Sequence, residues 1–104
     1  MASSSEYLEY ILEQLSALSD ITYRKMMGEY ILYYRGRVFG GIYDNRLLLK
    51  PTASVRELLP DASEELPYEG AKPMLMPTEI ENRELLAEAV KLMYDELPEV
   101  KKKR

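Results

Sequence analysis

The 104-residue chain contains no cysteine, no histidine and no tryptophan, and a single phenylalanine. Without cysteine there is no disulfide, no thiolate nucleophile and no zinc–thiolate site. Without histidine the commonest general base near neutral pH is missing, and so is the commonest transition-metal ligand. Every Ser-His or Cys-His nucleophile pair goes with it. An enzyme made from this sequence would have to work with carboxylates, Lys, Arg or Tyr. No stretch approaches the roughly 18 apolar residues of a membrane span. The N-terminal "MASSSEYLEYILEQL" has neither the basic region nor the long apolar run of a signal peptide. The expected location is cytoplasmic, with no membrane partner.

What is present fits one globular domain over residues 1–104, with residues 99–104 as a disordered basic tail. Hydrophobic residues make up 46% of the chain and charged residues 31%, enough for a core and a soluble surface. The net charge of −4 is unevenly spread. Residues 22–51 hold six basic side chains (Arg24, Lys25, Arg35, Arg37, Arg46, Lys50) against two acidic ones (Glu29, Asp44), so that segment carries +4 and the remainder −8. An acidic body disfavours nucleic acid, whose affinity comes largely from phosphate neutralisation, but the local excess keeps that reading open.

The opening segment reads as an amphipathic helix. Tyr7, Leu8, Ile11, Leu12, Leu15 and Leu18 recur at three- and four-residue spacing, and Ser3 with Glu6 has capping-box spacing. Residues 21–50 read as four consecutive antiparallel strands. Asp44-Asn45 suits a two-residue turn, because both residues tolerate positive φ. Arg35-Gly36 fits such a turn less well, and a type I turn with a Gly bulge competes. "TASVRELLP" reads as a two-turn helix capped by Thr52 or Ser54, "DASEELPYEGA" as a polar connection and "KPMLM" as a fifth strand. A closing helix runs from Glu79 or Arg83 to Leu97, with Thr78 and Glu81 at capping-box spacing and Pro98 ending it. The fold class expected is α+β: a single antiparallel sheet of about five strands with helices packed on it, in the order α-β-β-β-β-α-β-α.

Four features bear on chemistry. "RGRVFGGI", residues 35–42, interleaves aromatic, Arg and Gly residues as a base-stacking strand does. In register with the RNA-recognition motif, however, Arg37 falls where the first ring belongs and the glycine pair where apolar residues belong. Gly40-Gly41 opens no helix and lacks a G-K-[ST] ending, so it is not a phosphate loop; mid-strand glycines mark a bulge or a close backbone approach. The acidic groups at residues 6–13, 61–65 and 79–84 fit helix faces, helix starts and a polar loop, and none has the calcium-loop pattern. The fourth feature is tyrosine, with nine residues in the chain. A sheet covered on one face only would expose some of these rings as an aromatic patch, and such patches mark partners. Packing of Tyr33, Tyr34, Phe39 and Tyr43 across neighbouring strands is the plainer alternative.

The run Arg24-Lys25-Met26-Met27-Gly28-Glu29-Tyr30-Ile31-Leu32-Tyr33, followed by Val38-Phe39-Gly40-Gly41-Ile42, by Leu47-Leu48-Leu49-Lys50 and by "MPTEIENRELLAEAVKLMYDELP", resembles the N-terminal domain of the TfoX/Sxy family. The resemblance covers nearly the whole chain. It implies a bacterial protein with a small α+β domain, a central antiparallel sheet and flanking helices. Full-length regulators of that family promote natural competence by assisting a cyclic-AMP-dependent transcription activator, and carry a second, helical C-terminal domain; this chain is expected to stop after the first. The family has no catalytic residues to map, so no catalytic site, cofactor or metal is expected.

The leading expectation is therefore a non-enzymatic regulatory or protein-interaction domain, with a protein partner in the transcription machinery and a homodimer allowed through the uncovered face. Arg24, Met27, Tyr30, Arg35 and Arg37 are the candidate interaction surface. The alternatives are a weak nucleic-acid-binding protein using residues 22–51 and a small carboxylate- and Tyr-based enzyme.

Overall fold

Three two-residue turns shape the first half of the molecule. In the computed structural model, which describes residues 3–78 and 80–97, strands β1 (Ile21–Met26), β2 (Glu29–Tyr34), β3 (Arg37–Ile42) and β4 (Leu47–Leu49) form an antiparallel meander. Met27-Gly28 (φ 52° and 85°), Arg35-Gly36 (52° and 85°) and Asp44-Asn45 (55° and 57°) join them. Positive φ at both central residues is the type I′ signature, whose twist matches that of the flanking strands. Asp44-Asn45 behaves as its sequence suggests, with Tyr43 and Arg46 exchanging backbone hydrogen bonds of 2.9 and 3.0 Å across it. At Arg35-Gly36 the bulged type I alternative is not adopted.

The bulge lies inside β3 instead. Leu32 pairs with Gly40 and Tyr33 with Val38, which leaves Phe39 as the extra residue. Phe39 turns into the core, where it is fully buried. A Cβ on Gly40 would lie 2.2 Å from the Leu48 carbonyl oxygen, so the backbone of β4 approaches as closely as it does only because that position is glycine.

The meander continues into a six-stranded sheet of order β1-β2-β3-β4-β6-β5, antiparallel throughout, with β5 at Ser63–Glu65 and β6 at Met74–Met76. The observed order is thus α-β-β-β-β-α-β-β-α. The additional strand, β5, falls in what reads from sequence as a polar connection. Its residues have little strand character of their own; pairing of Ser63, Glu64 and Glu65 with Met76, Leu75 and Met74 makes them a strand.

Helices α1 (Ser5–Gln14), α2 (Ala53–Leu58) and α3 (Arg83–Met93), the last followed by a 3₁₀ turn at Tyr94–Glu96, all feed one core cluster. Leu8, Ile11, Val55, Leu86, Val90 and Met93 meet Tyr30, Leu32, Phe39, Ile42, Leu47, Leu49 and Leu75 there. Thr52 caps α2 through a bond from the Val55 N–H. Two other caps differ from the sequence expectation. Ser4, rather than Ser3, accepts the Tyr7 N–H at 3.1 Å and caps α1, because the Ser3 hydroxyl is engaged with the hairpins. Asn82, rather than Thr78, caps α3 by accepting the Leu85 N–H at 3.1 Å. The expected basic tail at residues 99–104 lies outside the described residues.

Candidate functional site

Cross-strand pairing sorts the sheet residues by face, because directly opposed residues project to the same side. Tyr30, Leu32 and Tyr34 of β2 face the helices, with Tyr23 and Lys25 of β1 opposite Leu32 and Tyr30. Ile31 and Tyr33 face the other way, opposite Arg24 and Thr22 on β1 and Gly41 and Val38 on β3. Leu48, opposite Gly41, belongs to this second face; it is fully buried, yet lies outside the helix-side cluster.

On this face a tyrosine covers Gly41 and a loop stands beside it. The Tyr43 ring lies over Gly41, where a Cβ would stand 2.7 Å from Tyr43 Cε2. The Tyr68 ring sits 6.4 Å from that of Tyr43. Arg46 fastens the loop in place: Nη2 donates to the Leu66 carbonyl at 3.0 Å, Nε to the Tyr43 carbonyl at 3.2 Å, and Nη1 lies 3.6 Å from Glu65 Oε1. The result is an open groove of about 490 Å³. Ile31 belongs to its sheet side, Met26 and Met27 line it from the first hairpin, and Tyr43, Pro67 and Tyr68 line it from the loop side.

Glu29 is the carboxylate of this lining, and its Oε1 is already engaged. It accepts the Ser3 hydroxyl at 2.6 Å and the Asp44 N–H at 3.2 Å. The Ser3 oxygen accepts the Asn45 N–H at 3.0 Å, Ser3 N–H donates to the Gly28 carbonyl at 3.0 Å, and Ser4 N–H donates to Asn45 Oδ1 at 2.9 Å. These bonds tie the start of α1 to the first and third hairpin turns and hold the rim of the groove. Tyr43 titrates above its ordinary range: burial is the main cause, with the neighbouring Tyr68 and Glu29 adding to it. The shift takes its phenol further from acting as a base and leaves the ring as an amphipathic wall of the groove.

The five residues singled out in the sequence do not gather on one surface. Met27 stands at the tip of the first hairpin, 97% exposed, and lines the groove. Arg24 is exposed on the same face, opposite Ile31. Tyr30 is 5% exposed in the helix-side core, edge-on to Tyr23 at 5.9 Å, so it takes no part in an exposed aromatic patch. Arg35 and Arg37 flank Gly36 at the opposite end of β2 from Met27, roughly 20 Å along the strand. Arg37 is bound inward: Nη1 donates to the carbonyls of Tyr94 (2.8 Å) and Leu97 (3.4 Å), and the guanidinium lies 4.2 Å from the Tyr94 ring centre. Its place is explained by the Phe39 bulge, which puts Arg37 opposite Tyr34 on the helix side.

Of the groove residues only Met27 belonged to the candidate surface; Met26, Glu29, Ile31, Tyr43, Pro67 and Tyr68 did not. Alternation in β2 would have paired Ile31 with the face opposite Leu32. The Tyr43–Tyr68 contact leaves no local signal. The basic residues of segment 22–51 are likewise dispersed: Arg24 and Lys25 on β1, Arg35 and Arg37 beside Tyr94, Arg46 bound to the loop, and Lys50 just past the end of β4. Among the described residues, no group of three or more acidic side chains is arranged to hold a metal ion, and no helix is long and apolar enough to cross a membrane.

A family model of the TfoX N-terminal domain matches residues 13–97. Over 72 residues the chain is 38% identical to an uncharacterized 12.7 kDa protein in the trpE 5′ region of Spirochaeta aurantia. That match takes 69% of this chain and 63% of the relative, so the chain spans somewhat less than two thirds of the relative's length. No solved structure matches. The chain belongs to the TfoX N-terminal domain family.

Proposed function

We propose that this member of the TfoX N-terminal domain family is a non-enzymatic regulatory domain that binds a protein of the transcription machinery, and that it does so through the Met/Tyr groove. The observation that carries this reading is the groove itself: an apolar cleft of about 490 Å³ on the sheet face away from the helix-side core, lined by Met26, Met27, Ile31, Tyr43 and Tyr68. Thioethers and tyrosines suit a protein surface, because the former adapt to irregular shapes and the latter supply an apolar ring with a wet hydroxyl. The occupant that fits is a cluster of aliphatic or aromatic side chains on the partner. Family membership supports a regulatory or interaction role in general, and the regulators that this chain resembles act with a cyclic-AMP-dependent transcription activator. The enzymatic alternative finds little support: the sequence has no imidazole or thiol.

The test uses the purified activator and RNA polymerase from the same organism, with a photo-crosslinking side chain in place of Tyr68 or, as a control on α2, of Glu57. Crosslinks from position 68 and not from 57, weakened by Met27→Lys, are expected. Equal yields from both positions, or none from either, would overturn the proposal.

A further inference from the structure

Strand β1 ends the sheet, with β2 as its neighbour. It runs six residues without proline or glycine, and five of the six are exposed. The Arg35 N–H donates to the Asp20 carbonyl at 3.0 Å, which sets the phase of the ladder. Even-numbered residues of the strand therefore bond to β2, while the N–H and C=O groups of Ile21, Tyr23 and Lys25 point outward. None of the turn, loop or side-chain hydrogen bonds among the described residues reaches them. Natural sheets blunt such an edge with proline, a bulge, extreme shortness or charged side chains, lysine above all, and a charged edge then selects its strand by charge. Here only two charges stand beside it, Arg24 and Lys25. The described ion pairs use Arg46, Arg56 and Arg83, so Arg24 and Lys25 have no acidic partner among the described residues.

We propose that the outer edge of β1 receives an acidic, extended segment of a partner protein, which adds to the sheet as a seventh strand. Main-chain bonds to Ile21, Tyr23 and Lys25 would fix its register. The two cations specify its charge pattern. Arg24 projects on the groove face, opposite Ile31, and Lys25 on the helix face, opposite Tyr30. Successive residues of an incoming strand alternate between the same two faces, so a pair of adjacent carboxylates gives each cation one partner. The far edge of this sheet shows the same chemistry already satisfied. In β5, Glu64 lies 3.2 Å from Arg56 and Glu65 lies 3.6 Å from Arg46. Those carboxylates are occupied, and joining β5 of one copy to β1 of another would make an open chain rather than a closed dimer. Pairing β1 with the β1 of a second copy would set two Arg24-Lys25 pairs along one seam with no carboxylate from either strand, so an acidic segment of a different protein is the occupant that fits. The alternation of main-chain donors and acceptors along the edge matches a peptide strand and not a nucleic acid.

A fluorescein-labelled peptide of sequence TVEEVT tests this, alongside TVQQVT, a TVEEPT version that keeps both charges but lacks one main-chain donor, and a single-stranded oligonucleotide. The acidic peptide is expected to bind at least about tenfold more tightly than either altered peptide. At a free peptide concentration ten times its Kd, exchange of the Ile21, Tyr23 and Lys25 amides should slow about tenfold. The double variant Arg24→Glu/Lys25→Glu, with its fold checked by circular dichroism, should lose the acidic peptide and accept TVKKVT. Four results would each overturn the proposal. They are equal binding of TVEEVT and TVEEPT, slowed exchange elsewhere than at those three amides, tighter binding of the oligonucleotide through Arg24 and Lys25, and self-association of the chain abolished by the double variant, which would make a second copy the occupant.

Discussion

Replacing Met27 by Asn should make the protein more stable while weakening its partner binding. Met27 is the first central residue of a type I′ turn and holds φ at 52°, a conformation that costs an ordinary L-residue about 1 kcal/mol and that Asn adopts more readily. At 97% exposure its side chain has almost no packing to lose. Relief of the backbone term should therefore appear nearly undiluted, at about 0.5–1 kcal/mol. For a domain of this size that corresponds to a rise in Tm of roughly 2–8 °C, measurable by calorimetry and checked by a higher urea midpoint at unchanged slope. Met27→Val is the control: a β-branched residue at positive φ should lower Tm instead. The thioether lines the groove, so Met27→Asn should also weaken capture of the partner. A fall in stability with Asn, or equal stabilities for Asn and Val, would refute the account of the turn. A stable Asn variant that binds the partner as tightly as the parent would show that the strained methionine has no part in docking.

Three further outcomes follow from the geometry. Gly40→Ala brings a Cβ to 2.2 Å from the Leu48 carbonyl oxygen, so urea denaturation should show a loss of about 1–3 kcal/mol; a loss below about 0.5 kcal/mol would mean that β3 and β4 move apart freely. Arg37→Ala removes the donor to the Tyr94 and Leu97 carbonyls and the cation stacked on Tyr94. It should cost about 1–3 kcal/mol and speed amide exchange first in the 3₁₀ turn at Tyr94–Glu96. Glu96 titrates below its ordinary value because the Ser54 hydroxyl and N–H both donate to it. Its folded pKa is thus the lower one, so the stabilisation is present above the unfolded pKa and fades as pH falls through the folded value. A carboxyl NMR titration should place Glu96 below 4.5, and Ser54→Ala, which removes the hydroxyl but keeps the N–H donor, should raise it part of the way back.

Much of the scaffold was legible because its signals are local. The 3.6-residue stripe of Leu8, Ile11 and Leu15, the Asp44-Asn45 turn and the Thr52 cap each depend on residues a few positions apart, and the structure keeps them. Strand β5 was missed for the opposite reason: Ser63, Glu64 and Glu65 are extended because β6 lies beside them, eleven or so residues further along. The α1 cap moved from Ser3 to Ser4 because the Ser3 hydroxyl is claimed by Glu29, twenty-six positions away.

The candidate site divides along the same line. Sequence alone determined that chemistry here could not use imidazole or thiol, that tyrosine would be the conspicuous side chain, and that residues 22–51 form hairpins of a TfoX-like domain. It did not determine which way those tyrosines and arginines point. Alternation along a strand sets the spacing of its two faces, but register and bulges set which face is which. One extra residue at Phe39 turns Arg37 toward the last helix, Tyr30 shares the face of Leu32 and is buried, and Tyr43 meets Tyr68 across a loop that Arg46 holds. Only tertiary contacts between distant segments could assemble the Met/Tyr groove, since none of the residues that close it is a neighbour in sequence of those that open it.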